Sequence, residues 1–98
     1  MRYHCLSCGY EWDIDTLVPR LGYRRCPKCR SYDTVPEGFW EMVEEARKKG
    51  ISRNTPFKDM AIAFEAVWKK YRIRELGWLE FRRVMKRVIE EAEKREQL

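Results

Sequence analysis

Amides are nearly absent from this chain: Asn54 and Gln97 are the only two. Glu, Lys and Arg are abundant instead, a usage that suits thermophiles, where amides deamidate and ion-pair networks gain value. No apolar run approaches the roughly 18 residues of a membrane span, and no signal-peptide core follows Met1. The expectation is a soluble, cytoplasmic protein without a membrane partner. His4 is the single histidine, so no Ser/His/Asp arrangement can be built, and no Gly-rich phosphate loop is present. The chemistry-bearing residues therefore predict a protein that is not an enzyme and has no small-molecule substrate. Disorder is excluded from the other side, because 44% of the chain is hydrophobic and 13% aromatic. Ninety-eight residues suffice for one domain, or for a small domain with an appendage.

All four cysteines fall in two pairs, Cys5-Leu6-Ser7-Cys8 and Cys26-Pro27-Lys28-Cys29, with 17 residues between them. Two residues between cysteines let a tight turn aim both sulfurs at one centre. A hairpin then brings the second turn opposite the first, and four thiolates close a tetrahedral metal site. Structural disulfides fit an intracellular chain poorly. No fifth cysteine is left for redox catalysis, and His4 beside the first pair is surplus to a four-sulfur shell.

The runs Tyr3-His4-Cys5-Leu6-Ser7-Cys8-Gly9-Tyr10-Glu11-Trp12 and Arg25-Cys26-Pro27-Lys28-Cys29 resemble the zinc ribbons, and also the rubredoxin-type domains, over residues 1 to about 35. The resemblance implies short antiparallel strands around two cysteine knuckles, each with backbone N–H groups aimed at its sulfurs. Gly9 suits the positive φ such a knuckle needs, and Pro27 suits the first position inside the other. Two features depart from rubredoxins: Arg30 stands where they place Gly, and the spacer lies between their long and short forms. The expected cofactor is one structural zinc ion at Cys5, Cys8, Cys26 and Cys29, with iron as the alternative. Four thiolates leave no open position for metal-assisted hydrolysis.

Beyond the cysteines the period changes. Tyr10–Ile14 alternates as a half-buried strand does, while Leu17–Gly22 carries turn punctuation and Tyr23–Arg25 leads into the second knuckle. Thr34-Val35-Pro36-Glu37 reads as a capping box that starts a helix running to about Lys49, with Gly50 as its stop. A second helix is expected from Thr55 as N-cap and Pro56 at N1, with the stripe Phe57, Met60, Ala61, Phe64, Val67, Trp68 and Tyr71. The pattern breaks between Ile73 and Gly77. A third helix follows to about Lys94, with Trp78, Phe81, Val84, Met85, Val88, Ile89 and Ala92 inward and a fraying tail. The expected fold is small α+β: a zinc ribbon over residues 1–35 and a three-helix domain over 36–98, packed as one compact unit. Ile73–Trp78 also fits the turn of a helix-turn-helix.

The net charge is +5, lowered to about +3 once four thiolates hold a dication. Two basic concentrations stand out. Arg20, Arg24, Arg25, Lys28 and Arg30 surround the second knuckle, with no acid between Asp15 and Asp33. From Lys69 to Arg87, eight cations (Lys69, Lys70, Arg72, Arg74, Arg82, Arg83, Lys86 and Arg87) face only Glu75 and Glu80. Arg82, Arg83, Lys86 and Arg87 share one side of the third helix, and Glu90, Glu91, Glu93 and Glu96 crowd its C-terminal end against the helix dipole. This helix offers Arg, Lys and Glu rather than the amides and hydroxyls that read base edges, so phosphate contact is the expected mode. The leading reading is a nucleic-acid-associated protein of transcription or translation. Its DNA or RNA contacts are Arg24, Arg25, Lys28, Arg30, Lys69, Lys70, Arg82, Arg83, Lys86 and Arg87. A protein–protein adaptor subunit is the alternative, for which an exposed patch among Trp40, Trp68 and Trp78 is the mark. A rubredoxin-like electron carrier comes third.

Overall fold

The computed structural model describes residues 1–14 and 24–96, which divide into two compact units, 1–37 and 38–98. The sequence reading of Leu17–Gly22, Tyr23 and Arg20 lies outside the described residues. Among those described, no helix is long and apolar enough to cross a membrane.

The first unit is a three-stranded antiparallel sheet in the order β2-β1-β3, with β1 Arg2–Cys5, β2 Glu11–Asp13 and β3 Thr34–Pro36. Alternation along β1 buries Tyr3 and Cys5 and leaves Arg2 outward, the period-two pattern of a strand with one inner face. Tyr3 lies opposite Trp12 on one side and Pro36 on the other, and the Tyr3 and Trp12 rings sit 6.2 Å apart. Arg2 reaches across to Glu11 at 3.3 Å and Asp13 at 3.9 Å. Trp12 sits half-buried between those two exposed acids, as the alternation predicts.

Thr34–Glu37 is the first departure from the sequence reading. It supplies a third strand rather than a helix N-terminus, with Thr34 opposite Cys5 and Val35 opposite His4. The open edge of β1 takes it up, and the Glu37 N–H donates to the Arg2 carbonyl at 2.7 Å. The Thr34 hydroxyl, expected to cap a helix, instead donates to the Arg24 carbonyl. Pro36 ends the strand, where its missing N–H removes little.

The second unit has three helices: α1 Phe39–Lys49, α2 Phe57–Tyr71 and α3 Trp78–Glu96. α1 packs chiefly against α3 and also against α2. Its inner face is Phe39, Met42, Val43 and Ala46. Ala63, Phe64, Val67 and Trp68 of α2 are buried, as are Phe81, Val84, Met85, Val88, Ile89 and Ala92 of α3. Each large side chain of this set contributes about 1.5–3 kcal/mol by leaving water. Rings join α2 to α3, with the Trp68–Phe81 centroids 5.0 Å apart.

The helix boundaries differ slightly from the pattern. α1 starts behind Gly38 rather than at Thr34, and α2 starts one residue late behind Pro56. Thr55 does not cap α2; its hydroxyl oxygen accepts from the Ser52 N–H at 2.9 Å. Between α2 and α3 the chain turns through left-handed Arg72 and a 3₁₀ turn over Ile73–Glu75, and α3 runs past its expected end to Glu96. Trp78 corrects the inward stripe: it is 62% exposed, because the first turn of α3 extends beyond the core.

Gly38 precedes α1 at φ +100°, and a Cβ placed on it would lie 2.5 Å from Cδ2 of Tyr71. Gly38→Ala therefore combines an unfavourable backbone region with a clash against a packed ring. The expected loss is about 2 kcal/mol or more, read from the urea unfolding midpoint.

Candidate metal centre and basic surfaces

Both cysteine turns have the same backbone plan. The Gly9 N–H donates to the Cys5 carbonyl and the Arg30 N–H to the Cys26 carbonyl, each at 2.9 Å. The Cys5 N–H reaches the Tyr10 carbonyl and the Cys26 N–H reaches that of Ser31, again at 2.9 Å. Inside the turns, the Ser7 N–H lies 3.3 Å from Cys5 Sγ, and the Cys29 N–H 3.4 Å from Cys26 Sγ. The residue after each second cysteine has positive φ, +82° at Gly9 and +65° at Arg30. The second knuckle thus forms the same geometry with an arginine where the first uses glycine. Ser7 and Ser31 hydroxyls meet at 3.1 Å and tie the two turns together.

The four sulfurs converge. All lie within 4.8 Å of one another, with Cys5 to Cys29 at 3.5 Å and Cys8 to Cys26 at 3.6 Å. A tetrahedron with metal–sulfur bonds of about 2.3 Å has edges of about 3.8 Å, so the cluster fits one four-coordinate ion. Cys5 and Cys26 are buried while Cys8 and Cys29 are exposed. His4 belongs to β1 and is not in the cluster. Burial pushes its pKa down against the pull of the Glu11 and Glu37 carboxylates.

The thiols are arranged to ionise unequally. Burial opposes ionisation of Cys26, but the N–H groups of Cys29 and Lys28 and the Cys8 thiol outweigh it and bring the pKa to about 6. Cys5 is lowered as well, its burial overcome by the N–H groups of Cys8 and Ser7. At Cys29 the Ser31 N–H favours the thiolate, yet burial and the three neighbouring sulfurs push the pKa up to about 12. Each further negative charge is harder to add in so small a space, and a bound dication removes that penalty.

The cations near the second knuckle are varied in their surroundings. Arg25 donates through Nε to the Arg30 carbonyl at 3.0 Å and lies 5.5 Å above the Tyr32 ring. Arg24 provides the carbonyl that receives the Thr34 hydroxyl. Lys28 and Arg30 are exposed and form no ion pair among the described residues. Tyr32 beside them is also exposed.

Most cations of the helical cluster are engaged by the protein's own carboxylates. Lys69 pairs with Glu65 at 3.1 Å and Arg72 with Glu75 at 2.6 Å. Lys70 meets Glu41 at 3.4 Å, and its pKa is raised by the Tyr71 hydroxyl and that carboxylate. Arg74 lies over the rings of Trp68 and Phe81, 5.3 Å from each centroid. The four cations expected on one face of α3 split into two sets. Arg83 binds Glu80, whose side chain is 6% exposed, at 2.5 Å, and Arg87 binds Glu91 at 2.9 Å. Arg82 and Lys86 remain exposed without an ion pair among the described residues. The acids at the end of α3 are used the same way: Glu91 also faces Arg95, and Glu93 takes Arg53 at 2.6 Å. Spacing along the chain could not show that Arg53 and Glu41, from other segments, join these networks.

Because the clustered thiols do not all ionise at neutral pH without a metal, Cys29 being the one pushed furthest up, loading a dication displaces protons, and metal affinity must fall as pH falls. The expected loss is about tenfold or more per pH unit on going from neutral to acid, measured by competition with a chromophoric chelator. Removing the metal should disorder the first unit while the far-ultraviolet helical signal persists, since the helices have their own apolar core. No family model matches this chain, and no curated protein or solved structure matches it either.

Proposed function

We propose that the chain is a non-enzymatic binding module. A structural zinc ion on Cys5, Cys8, Cys26 and Cys29 holds its second knuckle, which contacts the phosphates of single-stranded nucleic acid. Four thiolates complete a tetrahedral shell and leave no position for a substrate or water. Zinc is preferred to iron because it needs no electron partner; an iron-loaded, red protein that cycles between redox states would favour the electron-carrier alternative.

Arg30 carries the reading. It adopts φ +65°, a conformation that costs a side-chain-bearing residue about 1 kcal/mol and glycine nothing. That cost is accepted at an exposed position where the guanidinium meets no carboxylate among the described residues. Lys28 has the same freedom, and Tyr32 adds an exposed ring beside Arg25. Cations next to an aromatic face are the ordinary equipment for following a backbone while stacking its bases. The helical cations support the reading less, because intramolecular acids already engage Lys69, Lys70, Arg72, Arg83 and Arg87.

Fluorescence anisotropy with labelled oligo-dT, oligo-U and a duplex, using the zinc-loaded protein, tests this. Three phosphate contacts by Arg25, Lys28 and Arg30 predict a log–log salt slope of about −2 on single strands. Arg30→Gly should stabilise the second knuckle, or leave it unchanged, and lower nucleic-acid affinity severalfold; Lys28→Ser should add to the loss. If these cations only balance the −2 charge of a Zn(Cys)₄ site, the same substitutions will weaken metal binding and leave nucleic-acid affinity as it was. That result overturns the proposal.

A further inference from the structure

The second unit contains a groove that neither the metal site nor the second knuckle uses. It has a volume of about 450 Å³ and runs along α3 from Trp78 to Glu90, against the start of α2. Its floor is Phe57, Met60, Trp78, Phe81, Met85 and Ile89. The twelve steps from Trp78 to Glu90 along α3 span about 18 Å, or just over three helical turns. Trp78 is largely exposed at one end, and its neighbour Leu79 is 81% exposed.

The lining is charged as well as apolar. Arg82 and Lys86 line it, four residues apart and so one turn from each other on α3. Neither has an ion pair among the described residues, unlike Arg83 and Arg87 beside them. Arg53 also lines the groove but is held by Glu93 at 2.6 Å, and Glu90 is the one acid in the lining.

We infer that this groove docks an amphipathic helix of a partner protein, with apolar side chains at i, i+4 and i+7 on the floor and carboxylates one turn apart against Arg82 and Lys86. The length suits such a three-anchor helix. Two cations at i, i+4 complement two carboxylates at the same spacing, whereas a fatty acid brings a single carboxylate. The inference concerns other residues and another unit than the nucleic-acid reading, and the two stand or fall separately.

The test uses the full zinc-loaded chain and two labelled peptides that share a Leu/Phe stripe at i, i+4 and i+7, one flanked by Glu and the other by Lys. The Glu peptide should bind at least about tenfold more tightly than the Lys peptide, a difference that falls with salt. The double variant Arg82→Glu/Lys86→Glu, at exposed positions whose folding is checked by circular dichroism, should reverse that preference. Trp78→Ser should weaken both peptides together. Lys28→Ser and Arg30→Gly should leave peptide binding unchanged. Equal binding of the two peptides, no binding of either, or a charge reversal without effect overturns the inference. So does palmitate binding that depends on Arg82 and Lys86 while the peptides do not bind, or a dimer that the double variant dissolves.

Discussion

Four sulfur atoms gathered within 4.8 Å of one another are the constraint on which the first unit rests. They do not ionise alike: backbone N–H groups and the Cys8 thiol outweigh burial and bring Cys26 to about 6, while burial and hydrogen-bonded neighbouring sulfurs push Cys29 up to about 12. A dication turns the same cluster into the strongest cross-link available to a unit of this size. The two knuckles hang on it, and through them β1, which begins the first knuckle, and β3, which begins just after the second. The sheet has only three short strands, so its own apolar burial is modest, and a metal ion held by the four sulfurs would supply much of its folding energy.

The helical unit is stabilised differently. Its core is apolar, and its surface charges are organised into local pairs at i, i+3 and i, i+4, supplemented by the longer reaches Lys70–Glu41 and Arg53–Glu93. Exposed pairs of this kind contribute little singly, about 0–1 kcal/mol. Their effect on recognition is larger, because a cation already facing a carboxylate has less attraction left for a phosphate. Glu80 and Arg83 lie deeper, and there the pair keeps a buried carboxylate compensated. Among the described residues several exposed cations, Lys48, Lys58 and Lys94 included, have no ion pair. Of these, Lys28 lies within and Arg30 follows the second cysteine turn, and Arg82 and Lys86 line an apolar groove.

These two residual sets differ in their neighbours. Lys28 and Arg30 stand on the second cysteine turn near the exposed Tyr32, the surface on which the proposed phosphate contact rests. Arg82 and Lys86 border a groove floored by three aromatic rings and two methionines, a surface suited to something both apolar and anionic. One chain of 98 residues thus presents two chemically distinct faces. Arg30 shows the cost of the first, since its left-handed backbone would suit glycine better.

Much of this was legible in the residues themselves. The doubled C-x-x-C spacing is enough to imply convergence, because a tight turn leaves two sulfurs few directions in which to point, and the heptad-like stripes imply three helices because burial demands one apolar face. Thr34–Glu37 misled, since a capping box and a strand edge share the same residues, and only the unpaired side of β1 decided between them. Trp78 misled for a similar reason: helical periodicity gives a side chain's direction but not whether the core extends to meet it. The fate of each cation was a matter of tertiary structure alone. Whether Lys70 finds Glu41, or Arg53 finds Glu93, depends on helices brought together from distant positions, and no local spacing encodes that distance. Spacing alone determined that four sulfurs converge and that three helices form, because turn geometry and apolar periodicity are local; packing decided where the first helix starts and which charges are left without a carboxylate.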